Sequence, residues 1–151
     1  MNKKVSNYIK KEFILFIIGG IVYYIIEVLY RGYSHWTMAI VGGLAFIFIG
    51  LLNEFYTFEM YIETQAIISS IFITIIEFIA GYIINIKLGW NVWDYSNLPF
   101  NIMGQVCLLF TFFWILLSIV GIYLDDIIRY FLFDEKKPVY KSFISEKIRK
   151  E

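Results

Sequence analysis

The chain has 151 residues, of which 60% are hydrophobic and 17% are charged, and its 13 Lys and Arg balance its 13 Asp and Glu. This composition is typical of an integral membrane protein and excludes an ordinary soluble domain. The zero net charge and the lack of a basic patch exclude a nucleic-acid partner. One His and one Cys exclude a conventional zinc or haem site built from this chain alone, so we expect neither a metal nor a cofactor.

Four apolar stretches predict membrane-spanning helices, at residues 13–30, 36–52, 62–86 and 102–124. Each would be roughly 25 to 35 Å long, which matches a hydrocarbon core of about 30 Å. The sequence therefore predicts an all-α integral membrane protein, a bundle of four transmembrane helices over residues 1–130, followed by a charged cytoplasmic tail over residues 131–151. A long outer hairpin would join the third and fourth helices.

The basic residues predict the orientation of these spans. They gather before the first span and after the fourth, whereas the two connections on the opposite side contain only Arg31 and Lys87. Because Lys and Arg near the ends of spans favour the cytoplasmic side, we expect a multi-pass protein of the bacterial inner membrane with both termini in the cytoplasm.

The first span contains an acid and a base at helical spacing. Arg31 follows Glu27 by four residues, so the two side chains share one helix face and can form an ion pair. We interpret this pair as structural.

The third span has a polar stripe on an otherwise apolar helix. Ser70, Thr74, Glu77, Gly81 and Asn85 lie at spacings of three and four residues, which places them on one face. A carboxylate in the bilayer core is costly, roughly 2.5 to 3.5 kcal/mol on insertion scales, so Glu77 must face protein or water and is a candidate functional residue. In the fourth span the corresponding stripe consists of small or polar residues apart from Trp114.

The connection from Gly89 to Gln105 is longer than a simple turn requires. Its Trp and Tyr side chains suit the membrane interface. Its polar residues would lie near the polar stripe of the third span. We therefore expect an outward-facing ligand-binding pocket under this hairpin, and we expect the hairpin to act as a lid. The predicted ligand-binding residues are Glu77, Asn85, Asp94, Asn101 and Gln105.

Several of these residues together resemble a known family. Val92 to Ser96 reads VWDYS and is followed by Pro99, Asn101, Gly104 and Gln105, with Glu77 upstream. This string resembles the bacterial putative ABC transporter type IV family, also called the CmpB-like putative permease, over about residues 10 to 130. The resemblance implies a permease component and a separate ATPase subunit as partner. It supplies no catalytic residues, and four helices are few for an ABC permease.

We therefore expect a small transport component for a polar or cationic solute, with a homo-oligomer as an open alternative to a single copy. Two other classes remain open. One is a membrane-embedded enzyme that acts on a lipid-linked substrate through Glu77 and Asp94. The other is a holin-like or assembly protein without a substrate. No residue pattern indicates a catalytic motif.

Overall fold

A computed structural model describes residues 3–56, 59–143 and 145. Within these residues four helices are long and apolar enough to cross a membrane, namely Val5–Arg31, Trp36–Tyr56, Ile62–Lys87 and Leu108–Phe133. The predicted all-α, four-helix membrane architecture is therefore confirmed. Lys147, Arg149 and Lys150, which contributed to the predicted orientation, lie outside the described residues.

The elements follow one another along the chain with short connections, apart from the long one before the last helix. They are α1 (Lys3–Arg31), α2 (Trp36–Tyr56), α3 (Ile62–Gly81), a π-helical segment (Tyr82–Lys87), β1 (Asn101–Ile102), β2 (Val106–Cys107) and α4 (Leu108–Phe133).

The chain divides into two compact units, Met1–Phe48 and Ile49–Glu151. In the first unit α1 and the start of α2 approach closely at glycines. A Cβ on Gly20 would lie 2.5 Å from the Ala39 carbonyl oxygen, and one on Gly43 would lie 2.7 Å from the Phe16 ring. Close backbone approach at small residues is how helices pack in lipid, where no hydrophobic force drives them together.

In the second unit α3 and α4 form an antiparallel pair. The Ser70 hydroxyl donates to the Thr111 carbonyl oxygen at 2.7 Å, and the Thr74 and Thr111 hydroxyls lie 3.2 Å apart. Ala66, Ile73 and similar side chains of α3 are buried along the same helix face as these hydroxyls. The polar stripe predicted on the third span therefore packs against protein.

Helix α4 begins six residues later than the span predicted at 102–124, and it ends at Phe133. The reason is that the end of the long connection forms two short strands, in which Asn101 and Ile102 of β1 pair with Cys107 and Val106 of β2. Met103, Gly104 and Gln105 form the three-residue turn between the two strands, and the φ values of 55° at Met103 and 70° at Gly104 are ones that an α-helix excludes. Apolar composition alone does not distinguish such a hairpin from the first turns of a helix.

The segment after α4 packs back against the start of α3. The Ile62 backbone N–H donates to the Lys141 carbonyl oxygen at 2.9 Å, and the Tyr61 and Phe143 rings stack at 3.7 Å. Lys141 also pairs with Glu59. The tail is thus tied to the α2–α3 connection, and we call this end of α3 and α4 the tail end and the opposite one the hairpin end.

Candidate functional site

Glu77 is buried within α3, with 1% of its surface exposed. The Trp114 indole N–H of α4 donates to Oε2 at 3.0 Å, and the Tyr95 hydroxyl of the hairpin donates to Oε1 at 3.2 Å. Glu77 lies about 22 Å along the helix from Ile62, well inside the apolar span. Two donors from other elements thus offset part of the cost of burying its carboxylate.

The two donors to this carboxylate are aromatic residues, and one of them stacks on further rings. The Tyr95 ring stacks on Phe110 with centroids 4.6 Å apart, and Phe110 meets Phe113 at 5.9 Å. Trp114 is itself buried. We call Glu77, Tyr95, Phe110 and Trp114 the Glu77 site. It combines one acid with three aromatic side chains.

Asn85 holds the base of the hairpin. Its side-chain amide donates to the Trp93 carbonyl oxygen at 3.0 Å and to Gln105 Oε1 at 2.8 Å, and its Oδ1 accepts the Val92 backbone N–H at 2.7 Å. The Trp93 indole N–H donates to the Gln105 carbonyl oxygen at 2.9 Å. We call Asn85, Val92, Trp93 and Gln105 the hairpin network. It fixes the hairpin over the end of α3.

Asp94 and Asn101 shape the turns of the hairpin. Asp94 Oδ1 accepts hydrogen bonds from the hydroxyl and the backbone N–H of Ser96, at 2.5 and 2.8 Å. These two bonds hold the pKa of the Asp94 carboxyl below its usual range, and the bond from the hydroxyl has the larger effect. Asn101 donates to the Leu98 carbonyl oxygen at 2.8 Å and accepts the Gly104 N–H at 3.0 Å. Both are local side-chain to backbone motifs of the kind that stabilise turns.

The five residues predicted to bind a ligand therefore have different surroundings. Asn85 and Gln105 bond to each other, and Asp94 and Asn101 each bond within a turn, whereas Glu77 contacts Tyr95 and Trp114. A shared pocket for all five remains a prediction. The sequence did not identify Tyr95 and Trp114 as partners, although Trp114 was the one large residue in the small-residue stripe of its helix.

A family model described as "Putative ABC-transporter type IV" matches residues 13–145. The chain belongs to this family. The resemblance inferred from the hairpin residues is therefore confirmed. The comparisons with curated proteins and with solved structures gave no significant match.

In this ABC-transporter type IV family member, the tail end of α4 carries a second buried polar cluster. Arg129 Nε lies 2.6 Å from Asp125 Oδ2 on the same helix, and its Nη1 lies 2.5 Å from Glu54 Oε1 at the end of α2. The Asp125 and Arg129 side chains are 0% and 4% exposed. A Cβ on Gly50 would lie 2.6 Å from Asp125 Cγ, so the missing side chain of this glycine makes room for the carboxylate.

The neighbouring Asp126 extends this cluster to the tail. The Asn53 amide donates to Asp126 Oδ2 at 2.7 Å. Burial and then the nearby Asp126 carboxylate raise the pKa of Tyr140. We call Asn53, Glu54, Asp125, Asp126 and Arg129 the tail-end cluster. The sequence offers one signal for this cluster, because the spacing of four residues between Asp125 and Arg129 matches that of Glu27 and Arg31.

The pair predicted to be structural lies in the first unit. Arg31 Nη2 is 2.9 Å from Glu27 Oε2, and Glu27 also accepts the hydroxyls of Ser34 at 2.5 Å and Tyr23 at 3.3 Å. Both charged side chains are partly exposed. Across residues 3–56, 59–143 and 145, no group of three or more His, Cys, Asp or Glu side chains is placed to hold a metal ion.

Proposed function

We propose that this family member is a permease-like component of an ABC-type transporter and that it carries a polar or cationic solute, which binds at the Glu77 site. The main support for this proposal is the buried carboxylate of Glu77, which lies within an apolar span and accepts hydrogen bonds from Trp114 and Tyr95. A carboxylate at this depth is costly, and such a residue in a membrane helix commonly marks a solute or proton path.

The hairpin would place this site on the outer side of the membrane. The bias of basic residues orients the hairpin end outward and both termini toward the cytoplasm, which favours solute entry beside Tyr95. Because the hairpin network fixes the base of the hairpin while Tyr95 contacts Glu77, the hairpin is suited to act as a lid. Movement of the Tyr95 side chain would expose the carboxylate without breaking that network.

The tail-end cluster would then lie at the cytoplasmic boundary. There the Glu54 side chain of α2 is 23% exposed and is tied through Arg129 to α4, so one ion-pair set links two spans. A separate ATPase subunit that contacts the cytoplasmic connections could act on both helices through this link.

The enzyme alternative has less support, because Asp94 accepts hydrogen bonds from Ser96 whereas Glu77 accepts them from Tyr95 and Trp114.

The test is to purify the tagged full chain from the membranes of a bacterium that encodes it and to measure ATP hydrolysis. We expect a nucleotide-binding subunit to copurify, with ATPase activity that falls at least tenfold in Glu77→Gln while the subunit still copurifies. Lys87→Gln is the control, since it neutralises an exposed charge at the same end of α3 outside the predicted ligand-binding residues, and its activity should match the wild type. Purification without any ATP-hydrolysing subunit, or equal activity in Glu77→Gln, would contradict the proposal.

A further inference from the structure

The chemistry of the Glu77 site points to a narrower class of solute, and this inference rests on the proposed transport function. Its acid is a single carboxylate rather than a group of oxygen ligands, and the side chains beside it are aromatic. Tyr95 and Trp114 donate to the two carboxylate oxygens, and Phe110 stacks on Tyr95.

Aromatic rings favour some cations over others. Small ions such as Na⁺ and Mg²⁺ are strongly hydrated and are bound by oxygen atoms that replace their water. A quaternary ammonium or alkylated amine spreads its charge over apolar groups, loses little hydration, and is attracted by the faces of Trp, Tyr and Phe rings. Two aromatic residues that bond to one acid, with a third ring stacked on Tyr95, therefore suit an organic cation better than a metal ion.

The charge of the site limits the charge of the ligand. In an apolar span one carboxylate balances one positive charge, so a proton and a monovalent cation compete for Glu77. When the cation binds, the proton leaves the carboxyl group for water, and the reverse step restores it.

We propose that the Glu77 site binds a monovalent organic cation in contact with the carboxylate and with the rings of Tyr95, Phe110 and Trp114, in competition with a proton and in place of the hydrogen bonds from Tyr95 and Trp114.

The other charged residues at this end of the second unit are Lys87 and Asp94, and each contacts another group. Tyr95 is the titratable group of the hairpin that donates to Glu77. The Lys87 ammonium lies 5.5 Å from the centroid of the Tyr82 ring, and Asp94 is held by Ser96. Trp114, which α4 contributes, does not titrate. The pH dependence of binding should therefore follow Glu77.

The test measures binding of radiolabelled tetraphenylphosphonium to the full-length chain in detergent at several pH values, with tetraethylammonium as competitor. We expect saturable binding whose affinity falls up to tenfold per pH unit as the solution is acidified through the titration of Glu77. Glu77→Gln should weaken binding at least tenfold and remove the pH dependence. Tyr95→Phe, which keeps the ring and removes one donor to the carboxylate, should bind at least as tightly as the wild type.

Asp134→Asn, which neutralises an exposed acid just after α4 and outside the predicted ligand-binding residues, is the control and should leave both affinity and pH dependence unchanged. The elution volume and the near-ultraviolet circular dichroism of each variant report whether it is folded. If Glu77→Gln does not fold, the pH dependence of the wild type decides: affinity that does not change with pH overturns the proposal. The same holds for a folded wild type without saturable binding, and for folded Glu77→Gln that binds like the wild type. An ATPase that copurifies and depends on Glu77 would in those cases still support transport of another polar solute.

Discussion

Two ion pairs of this protein have the same spacing along a helix but different burial, and the stability of single variants should differ accordingly. Arg129 lies four residues after Asp125, and their side chains are 4% and 0% exposed. Arg31 lies four residues after Glu27, and their side chains are 19% and 12% exposed. The perturbation is Arg→Met at each site, which keeps a long apolar side chain and removes the charge.

Burial sets the expected magnitudes. Arg129→Met leaves the fully buried Asp125 carboxylate without its guanidinium, and removing one partner of a buried pair costs about 3–5 kcal/mol. Arg31→Met leaves Glu27 with the Ser34 and Tyr23 hydroxyls near water, so we expect a loss of about 1 kcal/mol. With roughly 2–4 °C of Tm per kcal/mol for a chain of this size, the expected drops are about 6–20 °C and about 2–4 °C.

Thermal unfolding in one detergent, followed by near-ultraviolet circular dichroism, measures both drops. The double variant Asp125→Leu with Arg129→Met removes both charges, so it should recover part of the loss of Arg129→Met, while Glu54 can turn to water. Equal Tm values for Arg129→Met and Arg31→Met, or a double variant less stable than Arg129→Met, would refute the reasoning that burial decides the cost.

Three other outcomes are expected. In a Cys107→Ala background, a cysteine at Asn97 should react with an impermeant thiol reagent in intact cells and one at Lys147 should not; the reverse labelling would invert the predicted topology. Asn85→Ala removes three hydrogen bonds of the hairpin network, and the loss of a buried hydrogen bond costs about 1–3 kcal/mol. Limited proteolysis should therefore cut the hairpin faster than in Asn97→Ala, and equal rates would mean that the network does not hold the hairpin. Gly50→Ala places a methyl group against the buried carboxylate of the tail-end cluster and should lower the stability by about 1–3 kcal/mol, as overpacking does, and an unchanged Tm would show that the carboxylate can move aside.

The sequence by itself determined the membrane architecture and one local contact. Long apolar stretches fix helices in lipid, because a helix satisfies its own backbone hydrogen bonds within a single segment. The approach of Glu27 and Arg31 could be predicted for a similar reason, since a spacing of four residues sets the distance between two side chains on one helix. The family followed from the hairpin string and its upstream glutamate.

The tertiary structure decided where α4 begins and which groups meet Glu77. The first turn of a membrane helix could contain the same apolar residues as Ile102, Val106 and Cys107. Only the pairing of β1 with β2 shows that α4 begins at Leu108. Tyr95 is 18 residues from Glu77, and Trp114 is 37 residues away. No helical period links residues so far apart in the chain, so their contact depends on how α3, the hairpin and α4 pack. The same holds for Glu54 and Arg129, whose contact follows from the packing of two helices that the sequence describes only one at a time.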